Sequence, residues 1–183
     1  IQHIRYFGAD YPYWFGVGVM MTESLCRSDA RSFDGGLGLY QITPSTGIGK
    51  EMEREIPNIN YFNPEHSIRA GAFYTAQILN KHLQRGEFKF KSKYPINPKS
   101  YVEDCGVRLA DVYQFYNGGY WFIREAQKTI TCDRAEMRAN CKRGGVWVGK
   151  RYLNFCDINY SYPQKVYTHG LKYKFGYDRW RYW

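Results

Sequence analysis

The chain has 183 residues, with 26 Lys and Arg against 17 Asp and Glu, a formal net charge of +9, and 44% of its residues are hydrophobic. This apolar content excludes a disordered chain, and the length is typical of one domain. The longest nearly apolar stretch, residues 11–21, is shorter than the ~18 residues that a membrane-spanning helix requires. We therefore expect one globular domain over residues 1–183 and no transmembrane segment.

The net charge indicates the kind of binding partner, and the cysteines indicate the cellular compartment. A positive charge favours nucleic acid, an anionic membrane surface or a bacterial envelope polymer as a partner, although solubility alone explains it equally well. The five cysteines contain no C-x-x-C pair, which argues against a zinc ribbon or a redox motif. We expect two disulfides and one remaining thiol in an oxidising, extracytoplasmic compartment, with the pairing left open. Five buried, reduced thiols are the alternative.

The first elements lie in residues 11–44. Apolar residues at helical spacing predict a helix over residues 11–26, although Gly16 and Gly18 weaken it. Residues 27–44 are rich in turn-forming residues and then alternate apolar with small or polar residues. This pattern predicts an irregular loop that leads into a short hairpin.

The clearest helix follows over residues 63–86. Asn63 can cap it, Pro64 can occupy its first turn, and Gly86 can end it.

The remainder of the chain mixes helical patterns with additions. Helical spacing returns at residues 107–116 and again at 121–130, and a last helix is predicted at 160–172. The other segments read as a surface excursion at 87–104, a cysteine-stapled insertion at 131–156 and an aromatic, basic tail at 173–183.

Glu23 is the candidate for acid chemistry. It lies in the C-terminal part of a mostly apolar helix, where a carboxyl group that faces a cleft has a raised pKa and can act as a general acid. Taken alone, a Glu within a helix is usually a solvated surface residue. The spacing of the residues that follow Glu23 makes it distinctive: Ser24, Ser32, Gly35, Gly38, Leu39, Gln41, Ile42, Pro44 and Thr46.

This spacing resembles the signature of the soluble lytic transglycosylase family, E-S, then S nine residues after the Glu, then G-x-x-G-L-x-Q-I-x-P-x-T. Three further blocks follow in the family's order. They are Asn63, Pro64, Ile68 and Gly71; then Phe115, Tyr116, Asn117, Gly118 and Gly119; and finally Tyr162 and Val166.

The resemblance implies an α+β, mainly α-helical, lysozyme-like fold with a small β-hairpin beside the active-site cleft. It implies cleavage of the bond between N-acetylmuramic acid and N-acetylglucosamine in peptidoglycan, with Glu23 as the sole acid and base and a 1,6-anhydro sugar as product. No metal or other cofactor is expected. The expected partner is the peptidoglycan glycan strand, alongside a secretion, conjugation or phage entry machine, in a monomer that acts in the periplasm, outside the cell or in a phage virion.

The resemblance also implies substrate contacts, each with a structural alternative. Ser32 can bind an acetamido group or cap a turn, and Gly38 can admit a sugar or permit the turn. Tyr40 stands where many members have Met, and it can either stack on a sugar or narrow the cleft. The other candidates are Gln41, Thr46, Tyr116, Asn117 and Tyr162, of which Tyr116 and Tyr162 are expected to point their hydroxyls at Glu23 or to pack in the core.

Two positions need comment. Ile158 stands where the family commonly has a Glu that is regarded as supportive, with Asp157 and Asn159 beside it. Cys26 lies one helical turn after Glu23, and we interpret it as structural, either bridged or buried.

The sequence is also compatible with two other functions. A goose-type muramidase that hydrolyses the same bond needs a second carboxylate, for which Asp34 is the candidate and Asp29 a poorer one. A non-enzymatic module that binds nucleic acid or an envelope polymer is suggested by the charge and by the tail at 173–183. Analysis of the reaction products distinguishes hydrolysis from transglycosylation. DNA binding without release of muropeptides would support the non-enzymatic module.

Overall fold

The computed structural model describes residues 2–9, 11–83, 109–119 and 133–180. Within these ranges the chain forms seven α-helices, a π-helical turn that continues α4 over Gln77–Leu83, and two strands. The helices are α1 (Gln2–Tyr6), α2 (Tyr13–Ser24), α3 (Gly47–Glu55), α4 (Pro64–Ala76), α5 (Leu109–Gly118), α6 (Arg134–Asn140) and α7 (Phe155–Trp180), and the strands are β1 (Gly145–Val148) and β2 (Arg151–Asn154).

The chain divides into two compact units. The first contains Ile1–Ala76 and Lys165–Trp183, and the second contains Gln77–Gln164. The prediction of a single domain stays a prediction. No helix within the described ranges is both long and apolar enough to cross a membrane.

In the first unit, α2 and the later part of α7 cross at glycines. A Cβ atom on Gly18 would overlap the carbonyl oxygen of Val166, and one on Gly170 would lie 2.5 Å from the carbonyl oxygen of Trp14. The two glycines therefore let the helix backbones approach closely. Gly18, one of the two glycines that weakened the helix prediction, is thus required for packing, and α2 is confirmed.

Tyrosines form much of the core of this unit. Burial is the main cause that raises the pKa of Tyr11, Tyr40, Tyr61 and Tyr74 above the usual value of 10.0. A phenol that stays neutral when the unfolded chain ionises holds a proton that the unfolded state releases. The stability contribution is therefore complete below about pH 10 and falls as the pH rises above that value.

Alkaline pH is accordingly expected to destabilise the protein. We expect the thermal midpoint to fall progressively as the pH rises above about 10, because only the unfolded state ionises these phenols freely there. Thermal unfolding across this range, with tyrosinate absorbance recorded in parallel, tests the prediction. Tyrosinate that appears at about pH 10 for all tyrosines, without unfolding, would contradict it.

In the second unit, polar contacts tie α5 to the segments after residue 132. Asp111 is buried and pairs with Arg134 at 3.0 Å between carboxylate and guanidinium. The carboxylate of Asp133 accepts hydrogen bonds from two backbone N–H groups and caps α6. Asn154 caps α7 in the same way, because its side-chain oxygen accepts from the backbone of Cys156 and Asp157.

The cysteines confirm part of the prediction. Cys141 and Cys156 form a disulfide, whereas Cys105 and Cys132 lie outside the described residues. The interpretation of Cys26 as bridged or buried was wrong, since it is an exposed free thiol. The reason is local: α2 ends at Ser24, and Leu25 and Cys26 take left-handed backbone conformations with φ of 54° and 59°. Cys26 therefore does not continue the buried face of the helix.

The fold class is confirmed as α+β and mainly helical, with a small two-stranded antiparallel sheet. The regular hairpin lies within the cysteine-bearing stretch. The hairpin predicted at 27–44 is reduced to two isolated bridges, Arg31 with Leu37 and Leu37 with Ile42, because residues with positive φ interrupt the ladder.

Of the remaining predictions, one helix cap is confirmed, one helix has different bounds, and two segments lie outside the described residues. Asn63 caps α4 as predicted, with its side-chain oxygen accepting from the N–H groups of Glu65 and His66. The last helix begins five residues earlier than predicted and includes part of the tail. The predictions for 87–104 and 121–130 lie outside the described residues.

Candidate active site

Glu23 lies in the last turn of α2 and is half-buried. Val19, four residues earlier and therefore on the same side of the helix, is fully buried. Glu23 thus continues the inward-facing side of an apolar helix to the point where that helix ends. This position partly removes the carboxyl group from water, as a general acid requires.

Two buried serines fix the backbone at Leu39, in the loop that follows. The hydroxyl of Ser24 lies 2.9 Å from the carbonyl oxygen of Leu39, and the hydroxyl of Ser67 in α4 accepts from the Leu39 N–H at 3.1 Å. Both polar groups of this buried backbone unit are therefore satisfied. The residue next to Glu23 thus anchors the loop to the end of α2.

Ser32 is held by its own loop. Its hydroxyl donates to the carboxylate of Asp34 and accepts from the Gly36 N–H at 2.8 Å. Gly35, between them, has a φ of 90°, a conformation that favours glycine. Ser32 therefore closes a turn, and its predicted contact with an acetamido group stays a prediction.

Gln41 and Gly38 close the other side of the loop. The Gln41 side-chain amide donates to the carbonyl oxygens of Gly38 at 2.7 Å and Ala30 at 3.2 Å. Gly38 has a φ of 70°, and a Cβ atom there would overlap the carbonyl oxygen of Tyr61. Both residues therefore shape the loop, and their predicted contacts with substrate stay predictions.

Backbone strain is concentrated around Glu23. Of the four described non-glycine residues with positive φ, three lie within the motif: Leu25, Cys26 and Gln41. Such conformations cost about 1–3 kcal/mol each and tend to cluster at functional sites.

Tyr40 lies in the core. It is 4% exposed, its hydroxyl lies 2.9 Å from a Cβ atom built on Gly16, and a Cβ atom on Gly71 would overlap its ring. The ring therefore fills a space between α2 and α4 that two glycines provide. Its burial assigns it a packing role that the sequence analysis did not foresee, and its predicted stacking on a sugar stays a prediction.

Thr46 is the N-cap of α3. Its hydroxyl accepts from the Gly49 N–H at 3.3 Å and donates to the Thr43 carbonyl oxygen at 2.7 Å. This capping explains a Thr at the position. Its predicted contact with substrate stays a prediction.

The remaining predicted residues lie in the second unit. Tyr116 and Tyr162 are both buried, and their rings are parallel at 6° with centroids 6.4 Å apart. Asn117, at the end of α5, is exposed, and its side-chain oxygen lies 3.5 Å from the Asn159 amide nitrogen. The predicted orientation of the two phenols toward Glu23 stays a prediction.

The chain matches a known protein family. Residues 15–131, more than half of the chain, match the family described as Transglycosylase SLT domain. The chain belongs to this family. No curated protein matches it.

Membership of the transglycosylase SLT family implies an enzyme that cleaves peptidoglycan. The matched range contains Glu23, its loop and Asn117, whereas Tyr162, the β1–β2 hairpin and α7 lie beyond it. Within the described ranges no group of three or more His, Cys, Asp or Glu side chains is placed to hold a metal ion.

Sequence reasoning did not single out Tyr74 and did not predict the contacts of Asn159. Tyr74 is within electrostatic reach of Glu23, since burial first and the charge of Glu23 second raise the pKa of its phenol. Its position three residues after Gly71, on the same side of α4, was the available signal. Asn159 stands beside the position where the family's Glu is missing, and it exchanges hydrogen bonds of 2.9 Å with Gln114, joining α7 to α5.

Proposed function

We propose that this protein is a lytic transglycosylase that cleaves the β-1,4 bond between N-acetylmuramic acid and N-acetylglucosamine and forms a 1,6-anhydro-N-acetylmuramic acid end. The observation that carries the proposal is the family match together with the position of Glu23, half-buried at the end of an apolar helix. Glu23 acts as both acid and base.

The reaction proceeds in two proton transfers. Protonated Glu23 gives its proton to the glycosidic oxygen, the bond from that oxygen to C1 of the muramic residue breaks, and positive charge develops at C1. Ionised Glu23 then takes the proton of the C6 hydroxyl as its oxygen bonds to C1. Glu23 ends protonated, as it began, and no water is consumed.

The surroundings of Glu23 support both protonation states. Partial burial favours the neutral acid before cleavage. The Tyr74 phenol stays protonated within electrostatic reach of Glu23, because burial and the Glu23 charge both raise its pKa. A neutral phenol near a carboxylate can stabilise the ionised form that the second step requires.

The position of C6 explains why a single carboxylate suffices. The C6 hydroxyl belongs to the same sugar ring as C1, so its attack is intramolecular and has a large effective concentration relative to water. The acetamido oxygen of the substrate can stabilise the charge at C1. No second carboxylate of the protein is therefore needed.

Hydrolysis by a goose-type muramidase mechanism is the second candidate. Asp34 is exposed and accepts a hydrogen bond from Ser32, so its carboxylate lies within the motif loop and can reach water. Asp29 is a weaker candidate, because it forms an exposed ion pair with Arg27 at 3.3 Å.

Product analysis separates the two reactions. We expect digestion of purified peptidoglycan to release muropeptides with 1,6-anhydro ends, which mass spectrometry distinguishes from reducing ends by the mass of one water. Reducing ends as the main product would establish the hydrolase instead. Tight DNA binding without any release of muropeptides would support the non-enzymatic alternative.

The disulfide supports an extracytoplasmic site of action, in the periplasm, outside the cell or in a phage virion. The substrate lies in the same places. This placement is consistent with a monomer that works alongside a secretion, conjugation or phage entry machine, since each such machine must cross the cell wall.

A further inference from the structure

The hairpin of β1 and β2 presents an exposed aromatic pair. Trp147 lies directly opposite Tyr152 in the antiparallel register, so both rings project from the same face. Their centroids are 5.3 Å apart with the planes tilted by 55°. Trp147 is 67% exposed and Tyr152 is 46% exposed. Exposed large aromatics that are paired in this way mark a binding surface.

The backbone holds this pair in place. Gly149 opens the two-residue turn with a φ of 61°, as hairpin turns of this length require. A Cβ atom on Gly145 would lie 2.8 Å from the Tyr152 ring, so the glycine lets that ring lie over the neighbouring strand. The disulfide between Cys141 and Cys156 encloses the hairpin and restricts its unfolded conformations.

The charged residues within the disulfide-closed segment are all positive. Between Cys141 and Cys156 the sequence contains Lys142, Arg143, Lys150 and Arg151 and no acidic residue. Lys142, Lys150 and Arg151 are exposed. The next acidic residue, Asp157, forms an ion pair with Arg138. The surface is therefore complementary to a polymer that carries negative charge.

We propose that the Trp147–Tyr152 face is a second binding site for peptidoglycan, distinct in sequence from the matched family region, which ends at residue 131. The C–H groups on the apolar face of a sugar ring can stack on the electron-rich face of an aromatic ring. Carboxylates of the peptide stems can pair with the surrounding lysines and arginines. The inference rests on peptidoglycan being the substrate.

The geometry favours a glycan strand over a nucleic acid. Two rings tilted by 55° cannot both lie flat against one planar base. Successive sugars of a strand each have their own mean plane, so each ring can meet a different sugar. Such a site would keep the enzyme on the insoluble polymer while the catalytic residue acts.

The test is cosedimentation with purified, insoluble peptidoglycan, with Glu23→Gln in every variant so that the polymer stays intact. We expect the double substitution Trp147→Ala with Tyr152→Ala to weaken binding roughly tenfold or more. Val148→Ala, at a 43% exposed position on the opposite face of the hairpin, and Tyr173→Ala, at a 40% exposed position in α7, are the matched controls. Both controls should bind as the parent does.

A second pair of variants tests the charge. Replacing the exposed Lys142 and Lys150 with Gln should weaken binding to peptidoglycan mainly at low salt and should leave binding to chitin, an uncharged polymer of N-acetylglucosamine, nearly unchanged. The circular dichroism and thermal midpoint of each variant should match the parent, because all the substituted side chains are exposed.

Two results would overturn the inference. One is unchanged binding of the aromatic double variant to peptidoglycan. The other is loss of binding to duplex DNA or to anionic vesicles upon the double substitution, with peptidoglycan binding retained. Digestion of short soluble glycan fragments, measured with Glu23 intact, keeps the two proposals separate. The double variant should retain that activity, whereas a protein that does not cleave glycan strands would lack it in every variant without any change in cosedimentation.

Discussion

Glu23→Gln is expected to reduce turnover of peptidoglycan by at least roughly 10³-fold. The amide has nearly the shape of the carboxyl group but can neither give the first proton nor accept the second, and general acid–base catalysis typically contributes 10²–10⁴-fold. Release of soluble muropeptides, followed by chromatography, measures the loss. The thermal midpoint should stay within about 2 °C of the parent, because the side chain is only half-buried.

Asp29→Asn and Asp34→Asn are the matched controls. Both remove a carboxylate from the same segment with a minimal change of shape. Asp29 forms only an exposed ion pair, so its variant should be fully active. Asp34→Asn should retain activity if Glu23 acts alone, and an equally large loss in that variant would support the hydrolase. Full activity of Glu23→Gln would end the proposed mechanism.

Local sequence signals predicted α2, α4, α5 and α7, whereas α1, α3 and α6 were not predicted. Asn63 followed by Pro64 identified the start of α4, because a cap and a fixed φ act within one turn and need no tertiary contact. The same kind of local signal located α2, since the apolar residues at helical spacing outweighed two glycines. These are properties that a short stretch of chain determines by itself.

What the sequence did not predict depends on contacts between distant segments. Gly18 reads as a weak point in a helix until the carbonyl oxygen of Val166, far along the chain, is seen against it. Cys26 was placed by helical spacing, which fails once two consecutive residues turn left-handed after Ser24. The hairpin was expected beside Glu23, but that segment satisfies its backbone through serine and glutamine side chains instead of a strand ladder.

The candidate site likewise contains residues that the sequence predicted and contacts that it could not predict. Glu23 and its loop residues could be named from spacing, because the motif contains them all within a short segment. The hydrogen bond from the Ser24 hydroxyl to the Leu39 carbonyl oxygen and the electrostatic interaction of Tyr74 with Glu23 could not be predicted. Both require the fold to bring separate elements together. Asn159 was noted only as a neighbour of the position that the motif specifies, and its hydrogen bonds with Gln114 could not be predicted because Gln114 lies 45 residues earlier in the chain.

Gly71→Ala is expected to destabilise the protein by roughly 3 kcal/mol, the upper part of the usual range for overpacking. The new Cβ atom would overlap the Tyr40 ring, which is 4% exposed and has Gly16 on its other side. The ring therefore has no open space into which it can turn. For a chain of this length the thermal midpoint should fall by about 6–12 °C.

A second substitution separates this clash from a general intolerance of change in α4. Tyr40→Met, which introduces the residue common in the family, removes the ring and should itself destabilise the protein by leaving space. Combined with Gly71→Ala, it should cost at least about 1 kcal/mol less than the sum of the two single changes, because the methyl group enters the space that the ring has left. Gly47→Ala, in α3 with no atom within 4 Å of its Cβ position, should be neutral or slightly stabilising. Urea unfolding measures these free energies. If the destabilisation by Tyr40→Met and by Gly71→Ala is strictly additive, the Tyr40 ring and Gly71 do not interact, and the packing explanation for Tyr40 is wrong.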